Sequence, residues 1–235
     1  MMKKKFLLSA VITTLTFNSY LSYVNAHTHE LTLGKLPEQE QISDSKVLLM
    51  KKLSDLNFFS ADFTQQVVNE SGDIIEQSTG KLAISKPNLA HWQVLSPDEL
   101  SIVSDGEDVW FYNPWIEQVS IYSLSAAIAR TPILLLTSKD ENLWQQYNVA
   151  KNSNSAQHNS ESYTISAKDK HSQIKSLTLI FNNQVNGGQL SQFSFLDATG
   201  QLSHVTLKKF DDKQKPQADF FRFDVPDDVQ IDDQR

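Results

Sequence analysis

The run Val109-Trp110-Phe111-Tyr112 constrains the fold more than any other stretch of the chain. It is the second arm of a hairpin that begins at Leu100 and turns at Asp105-Gly106, a dipeptide suited to a tight turn between β-prone runs. Side chains on a strand point alternately to its two faces. Val109 and Phe111 therefore share one face, and Trp110 and Tyr112 the other. An antiparallel strand usually keeps one face on the core and the other in water. Here both are large and apolar, so the strand needs cover on both sides, or one side must look into an apolar cavity.

The rest of the chain supplies a meander around this hairpin. From Ser43 the pattern is helical, with Ser43 or Asp44 as cap, Leu49, Leu53 and Leu56 on one face, and an end near Asn57. Phe59–Val67 then alternates, with Phe59, Ala61, Phe63 and Val67 together. Ile74–Ser78, Gly80–Ser85 and Leu89–Leu95 follow, and after the hairpin Ile116–Tyr122. The period then changes. Leu124–Ala129 is helix-prone, and Thr131-Pro132 reads as a helix start, Thr131 capping and Pro132 at the first helical position. Ile133-Leu134-Leu135-Leu136 comes directly after, apolar almost all round, so it is buried or faces a cavity. Strands resume at Gln146–Lys151, Ser162–Lys168, Ile174–Phe181, Gln189–Asp197 and Leu202–Phe210, and Phe220–Asp224 and Val229–Ile231 close the chain. Glycines sit between these runs, as a meander requires. Ten or eleven strands are more than an open twisted sheet usually holds without curling. The economical architecture is a curled antiparallel sheet with the helices covering its concave side.

Residues 1–26 have the pattern of a secretory signal. Met1-Met2-Lys3-Lys4-Lys5 is basic, Phe6 to Tyr23 is apolar, and Val24-Asn25-Ala26 is a cleavage site. The apolar run is interrupted by Ser, Thr and Asn, and falls short of the roughly 20 residues that a membrane span needs. Residues 27–42 read as a mobile polar tail and 43–235 as one domain. Removal of the signal takes three lysines and leaves 18 basic against 28 acidic residues, a net charge of −10. That balance argues against nucleic acid and anionic membrane surfaces as partners. There is no cysteine, so no disulfide, thiol chemistry or lipid-anchored N-terminal cysteine is available.

No catalytic constellation stands out. The chain lacks G-x-S-x-G, H-E-x-x-H and a phosphate loop. The pairs Asp211-Asp212, Asp227-Asp228 and Asp232-Asp233 read as solvated loop carboxylates, and His91, beside Trp92, as a packing or surface histidine. A His27-Thr28-His29 start would chelate copper incidentally. No cofactor and no metal are expected, and the chain is not expected to be an enzyme. What exceeds the ordinary is apolar lining at Phe63, Val67, Leu82, Trp92, Val94 and Ile133–Leu136. By pattern alone, a plain core and a ligand cavity both remain open.

Several longer strings bear on that choice. Phe59-Ser-Ala-Asp-Phe-Thr-Gln-Gln-Val67, Lys86-Pro-Asn-Leu89 with Trp92, Val103-Ser-Asp-Gly106, Trp110-Phe-Tyr-Asn-Pro114, Glu117-Gln118, Thr131-Pro132, Trp144-Gln-Gln-Tyr-Asn148 and Val229-Gln-Ile-Asp-Asp-Gln-Arg235 resemble the periplasmic outer-membrane lipoprotein carrier family, LolA, from about Leu53 to Arg235. The resemblance implies a mainly β fold: an unclosed, half β-barrel of about 11 antiparallel strands under an α-helical lid. It implies a periplasmic, monomeric chaperone that is not membrane-embedded. Its cargo would be acylated lipoproteins released by an inner-membrane ABC transporter, their acyl chains shielded in an apolar cavity and delivered to an outer-membrane receptor. The receptor shares the fold but is anchored through a cysteine, which this chain lacks. By residue matching, Leu53, Phe63, Val67, Trp92, Leu134 and Leu136 are expected to meet acyl chains. Lys86 stands where the family has an arginine that latches the lid, and is expected to tether it through carbonyls of 131–136. Ala90 replaces a large apolar residue, and the tail 27–42 is longer than the family's. A sensor module on the same half-barrel, the rival reading, would need a second domain. A hydrolase would need a nucleophile arrangement that is missing.

Overall fold

The computed structural model describes residues 44–128, 130–152, 159–184 and 188–235. The signal segment, the tail and Ser43 lie outside them. The structure begins with helix α1, Asp44–Asp55, whose buried stripe is Leu49 and Leu53. Strands β1 (Phe58–Val68), β2 (Ile74–Ser85), β3 (Leu89–Ser96), β4 (Leu100–Asp105), β5 (Asp108–Asn113) and β6 (Gln118–Ser123) follow as one meander. The chain then runs through α2 (Leu124–Ile128), a 3₁₀ segment (Pro132–Thr137) and α3 (Glu141–Gln145). It returns to the sheet as β7 (Tyr147–Asn152), β8 (Ser160–Ala167), β9 (Ile174–Asn182), β10 (Gln189–Asp197), β11 (Leu202–Asp211) and finally β12 (Gln230–Asp233).

All twelve strands form one sheet in the order β12-β6-β5-β4-β3-β2-β1-β11-β10-β9-β8-β7. Every pairing is antiparallel except β12 with β6. The two meanders join where β1 meets β11, and the order ends at β12 on one side and β7 on the other, so the barrel is unclosed. The central insertion contributes Ile128 and Ile133–Leu136 to the buried cluster on the concave side. Residues of α1 and of the 3₁₀ segment belong to the same buried cluster as inward-facing residues of β1, β2, β3 and β8 to β11.

The doubly apolar strand β5 is covered on both faces. Val109 is wholly buried in the central cluster and Phe111 packs against it, in T-shaped contact with Tyr122 (centroids 5.4 Å). On the convex side, the rings of Trp110 and Tyr112 meet Phe223 at 6.4 and 5.6 Å. Next to them Phe221 is buried, and Phe220 lies over His91 at 4.8 Å. The C-terminal segment thus acts as a strap across the back of the sheet. Arg235 completes it by pairing with Asp108 at 2.6 Å.

Three expectations about local structure need correction, and one helix is added. Phe220–Asp224 is not a strand: Ala218–Phe221 is a 3₁₀ turn, because its aromatics serve as cover and not as a ladder. Gly80 does not separate two strands; β2 runs unbroken from Ile74 to Ser85. Thr131 makes no side-chain cap, its ψ of 83° falling short of the extended backbone that a capping residue adopts, and its backbone carbonyl accepts from Leu134 N at 3.0 Å instead. Helix α3 is unanticipated, although its signal was present: Asp140 caps it by accepting from Asn142 N at 2.9 Å.

Candidate functional site

The site is the junction between the concave sheet and the segments that cover it, here called the lid (residues 124–145). Every residue from Thr131 to Ser138 is buried. Pro132 starts the 3₁₀ segment where its missing N–H costs nothing. With no polar face to offer water, the segment is held by packing. Burying Ile133, Leu134, Leu135 and Leu136 stabilises the closed lid by about 6–12 kcal/mol, at about 1.5–3 kcal/mol for each side chain.

Beneath it lies an aromatic patch. Phe63 on β1 and Trp92 on β3 lie with centroids 4.2 Å apart and their planes tilted by 33°, and Phe193 on β10 meets Trp92 edge-on at 5.9 Å. Gly80, across the ladder from Phe63, makes room for that ring. Leu53, Phe63, Trp92, Leu134 and Leu136 are all buried and all belong to one cluster. Val67 does not join them. It is buried, but its cross-strand neighbours are Glu76 and Ser203, beyond the edge of the cluster. The alternation that placed Val67 on the right face said nothing about how far along the strand the lid reaches.

A gap lined by Ile128, Pro132, Leu135 and Ile165 among others has a volume of only about 10 Å³. That is about the space of a single water site, too little for a hydrocarbon chain. Phe63 and Trp92 are buried in one cluster with Leu134 and Leu136, so the lid lies closed over them and anything that binds there must first displace it.

Three polar links hold the lid and α1 in place. Lys86 Nζ donates to Leu53 O, in the last turn of α1. That carbonyl also accepts from Leu56 N at 3.1 Å, and the C-terminal end of a helix attracts cations. The expected tether to the carbonyls of 131–136 is not what forms. The loop after β2 is already bound to the end of α1 by Lys86 N to Asn57 O at 2.8 Å, which directs the lysine towards α1. The lid link comes two residues later, where Asn88 N donates to Thr137 O at 3.3 Å. Asn88 is held for this role in a left-handed conformation (φ 62°), and its own carbonyl accepts from Ser104 Oγ at 2.7 Å. The third link is Lys46 Nζ to Trp144 O at 2.6 Å. Trp144 in turn donates from its indole nitrogen to Ser138 O at 3.3 Å. Burial, and secondarily repulsion from Lys139, pushes the Lys86 ammonium down to about 8, with Asp55 opposing. Burial also lowers the pKa of Lys46. Neither Asn88 nor Lys46 was singled out by sequence reasoning. Lys46 was legible, because it continues the Leu49–Leu53 stripe one turn back, where a lysine is out of place.

The arrangement has the chemistry of an apolar container and, among the described residues, no grouping of three or more His, Cys, Asp or Glu side chains that could hold a metal ion. None of the described helices is long and apolar enough to cross a membrane. Residues 54–224 match the model of the outer membrane lipoprotein carrier protein LolA. The chain belongs to the LolA family. The outer-membrane lipoprotein carrier protein of Aeromonas salmonicida is 36% identical over 193 residues, covering 82% of this chain and 91% of that protein. That of Shewanella pealeana is 38% identical over 187 residues, covering 80% and 85%. A LolA superfamily protein from Nitrosomonas europaea of known structure is 9% identical, with a TM-score of 0.40, covering 77% of this chain and 99% of that one.

Proposed function

We propose that this carrier works in the periplasm, where it accepts acylated lipoproteins released from the inner membrane by an ABC transporter, covers their acyl chains beneath the lid and passes them to an outer-membrane receptor. Leu53, Phe63, Trp92, Leu134 and Leu136 are the residues that meet the acyl chains. Val67 lies outside this set in the closed state. The observation that carries the reading is the Pro132–Thr137 segment: it is wholly buried and apolar, and little but packing and a few carbonyl-directed links secures it.

The energetics suit transfer. Each acyl CH₂ removed from water contributes about 0.8 kcal/mol. Opening the lid costs the about 6–12 kcal/mol gained by closing it, and acyl chains that replace the lid's leucines against the sheet recover that cost. Net affinity is thus a difference of two large terms, and cargo can leave again. The sequence has no nucleotide-binding motif, so energy enters at the donor and transfer then runs downhill in affinity.

Depletion tests the reading directly. Spheroplasts lacking the protein should retain newly acylated outer-membrane lipoproteins on the inner membrane, and adding the purified chain should release them. Unchanged release in the depleted cells would end the carrier assignment.

A further inference from the structure

The three links of the lid form a circuit. From the lid at Thr137 it passes to Asn88, along the chain to Lys86, to Leu53 in the last turn of α1, back along α1 to Lys46, and to Trp144 at the far end of the lid. Trp144 closes it by donating to Ser138, next to Thr137. Each lysine donates to a backbone carbonyl, and the two sit at opposite ends of one helix. We propose that Lys46 is a positioning residue of the gate: it ties α1 to the far end of the lid as Lys86 ties α1 to the loop that holds the near end, so that α1 and the lid open as one body.

This rests on the carrier reading for its purpose, though not for its geometry. Three features support it. The Lys46 bond is short, at 2.6 Å, and it spans 98 residues of sequence, so it joins two elements that no local contact would hold. The acceptor belongs to Trp144, whose side chain is 1% exposed and already fixed to Ser138, so a pull at this carbonyl reaches the 3₁₀ segment. Finally, α1 has its own anchor on the sheet. Lys52 pairs with Glu161 of β8 at 2.9 Å and lies over the Phe181 ring at 5.4 Å, so α1 resists movement on behalf of whatever is tied to it. Partial dehydration of the Lys46 ammonium agrees with this bond being kept and not exchanged for water.

The consequence concerns cargo selection. A lid held only at its near end would swing freely at Trp144 and admit small amphiphiles. Held at both ends, it opens only for a ligand that repays the release of both bonds, which favours large multiply acylated cargo over single-chain lipids.

The test uses the full folded chain purified from the periplasm, with Lys46→Met, which keeps the aliphatic stem and removes the donor, and Lys46→Arg, which keeps a donor. Amide exchange by mass spectrometry, without lipid, should rise about tenfold across 131–145 in Lys46→Met, as expected for the loss of one charge-assisted bond. Amides of β9 to β11 should be unchanged and Lys46→Arg should restore most of the protection. A synthetic triacylated lipopeptide and a single-chain fluorescent fatty acid are then titrated. In Lys46→Met both should bind more tightly, because a larger open population lowers the cost of opening, and the fatty acid should gain more, because it needs only the Trp144 end of the lid to swing free. A residue that merely stabilised the fold would weaken binding on removal. Unchanged exchange at 131–145, exchange rising equally in β9 to β11, failure of arginine to restore it, or weaker binding by Lys46→Met would each overturn the proposal. If the wild type bound neither lipid while the exchange result held, the carrier reading would fall and the tether would stand.

Discussion

Replacing Gly80 with alanine should be among the most damaging single-methyl additions in this protein. Gly80 lies inside β2, opposite Phe63 on one side and Val94 on the other. A Cβ built on it would sit 2.0 Å from the carbonyl oxygen of Gln93 and 2.6 and 2.7 Å from two atoms of the Phe63 ring. The ring could tilt, but the carbonyl is backbone, so β2 and β3 would have to separate by about 1 Å. Overpacking of this kind costs about 1–3 kcal/mol, and a disturbed ladder bond about 1 kcal/mol more. Alanine's smaller entropy loss returns about 0.5–1 kcal/mol. The net destabilisation is about 1–3.5 kcal/mol, which for a domain of this size lowers Tm by about 2–14 °C. Thermal denaturation followed by circular dichroism measures it, with Gly72→Ala as control. Gly72 has a positive φ of 86° but nothing within 4 Å of its added methyl, so it isolates the backbone term of about 1–2 kcal/mol. In a Phe63→Leu background the Gly80→Ala penalty should shrink by less than half, because the Gln93 contact persists. A Tm for Gly80→Ala equal to or above that of the parent would refute the reasoning, because the two clashes could not then be real.

Four other outcomes follow from the same structure. Lys86 keeps its proton less firmly in the folded protein than in the unfolded chain, so between pH 8 and its ordinary value of 10.5 the unfolded state binds more protons and this group makes stability rise with pH. The stability of the wild type relative to Lys86→Met should therefore increase from pH 7.5 to 10 in urea titrations; a flat or falling difference contradicts the burial of that ammonium. Leu136→Ala empties a fully buried position in the lid. It should cost about 2–5 kcal/mol of lid closure, seen as faster amide exchange confined to 124–145 and enhanced binding of an apolar dye. Phe223→Ala uncovers Trp110 and Tyr112 and should make an additional tryptophan accessible to acrylamide while leaving the lid's exchange unaltered. Asn88→Ala removes a residue that tolerates φ of 62° and should loosen the loop's bond to Thr137, so lid exchange should accelerate; protection equal to the parent's would show that the link carries no weight.

Much of this protein could be read from its residues one at a time. Alternation at Phe59–Val67, the Asp105-Gly106 turn and the apolar Ile133–Leu136 run each specify local structure through backbone geometry and side-chain direction, which act over a few residues. They were enough for a curled antiparallel sheet and a buried covering segment, and the family strings supplied the half-barrel and the carrier. What required the tertiary structure was every decision made between distant segments. Both faces of β5 are apolar in the sequence, but only the path of the C-terminal strap shows that Phe223 takes Trp110 and Tyr112, leaving Val109 and Phe111 for the core. Val67 and Phe63 have the same parity, yet the reach of the lid includes one and not the other. Lys86 could bond any carbonyl within its length, and the chosen one depends on where α1 ends. Lys46 finds Trp144 across 98 residues. Local patterns set which way a side chain points. Which partner waits there depends on how elements far apart in sequence pack, and no short stretch of sequence contains that information.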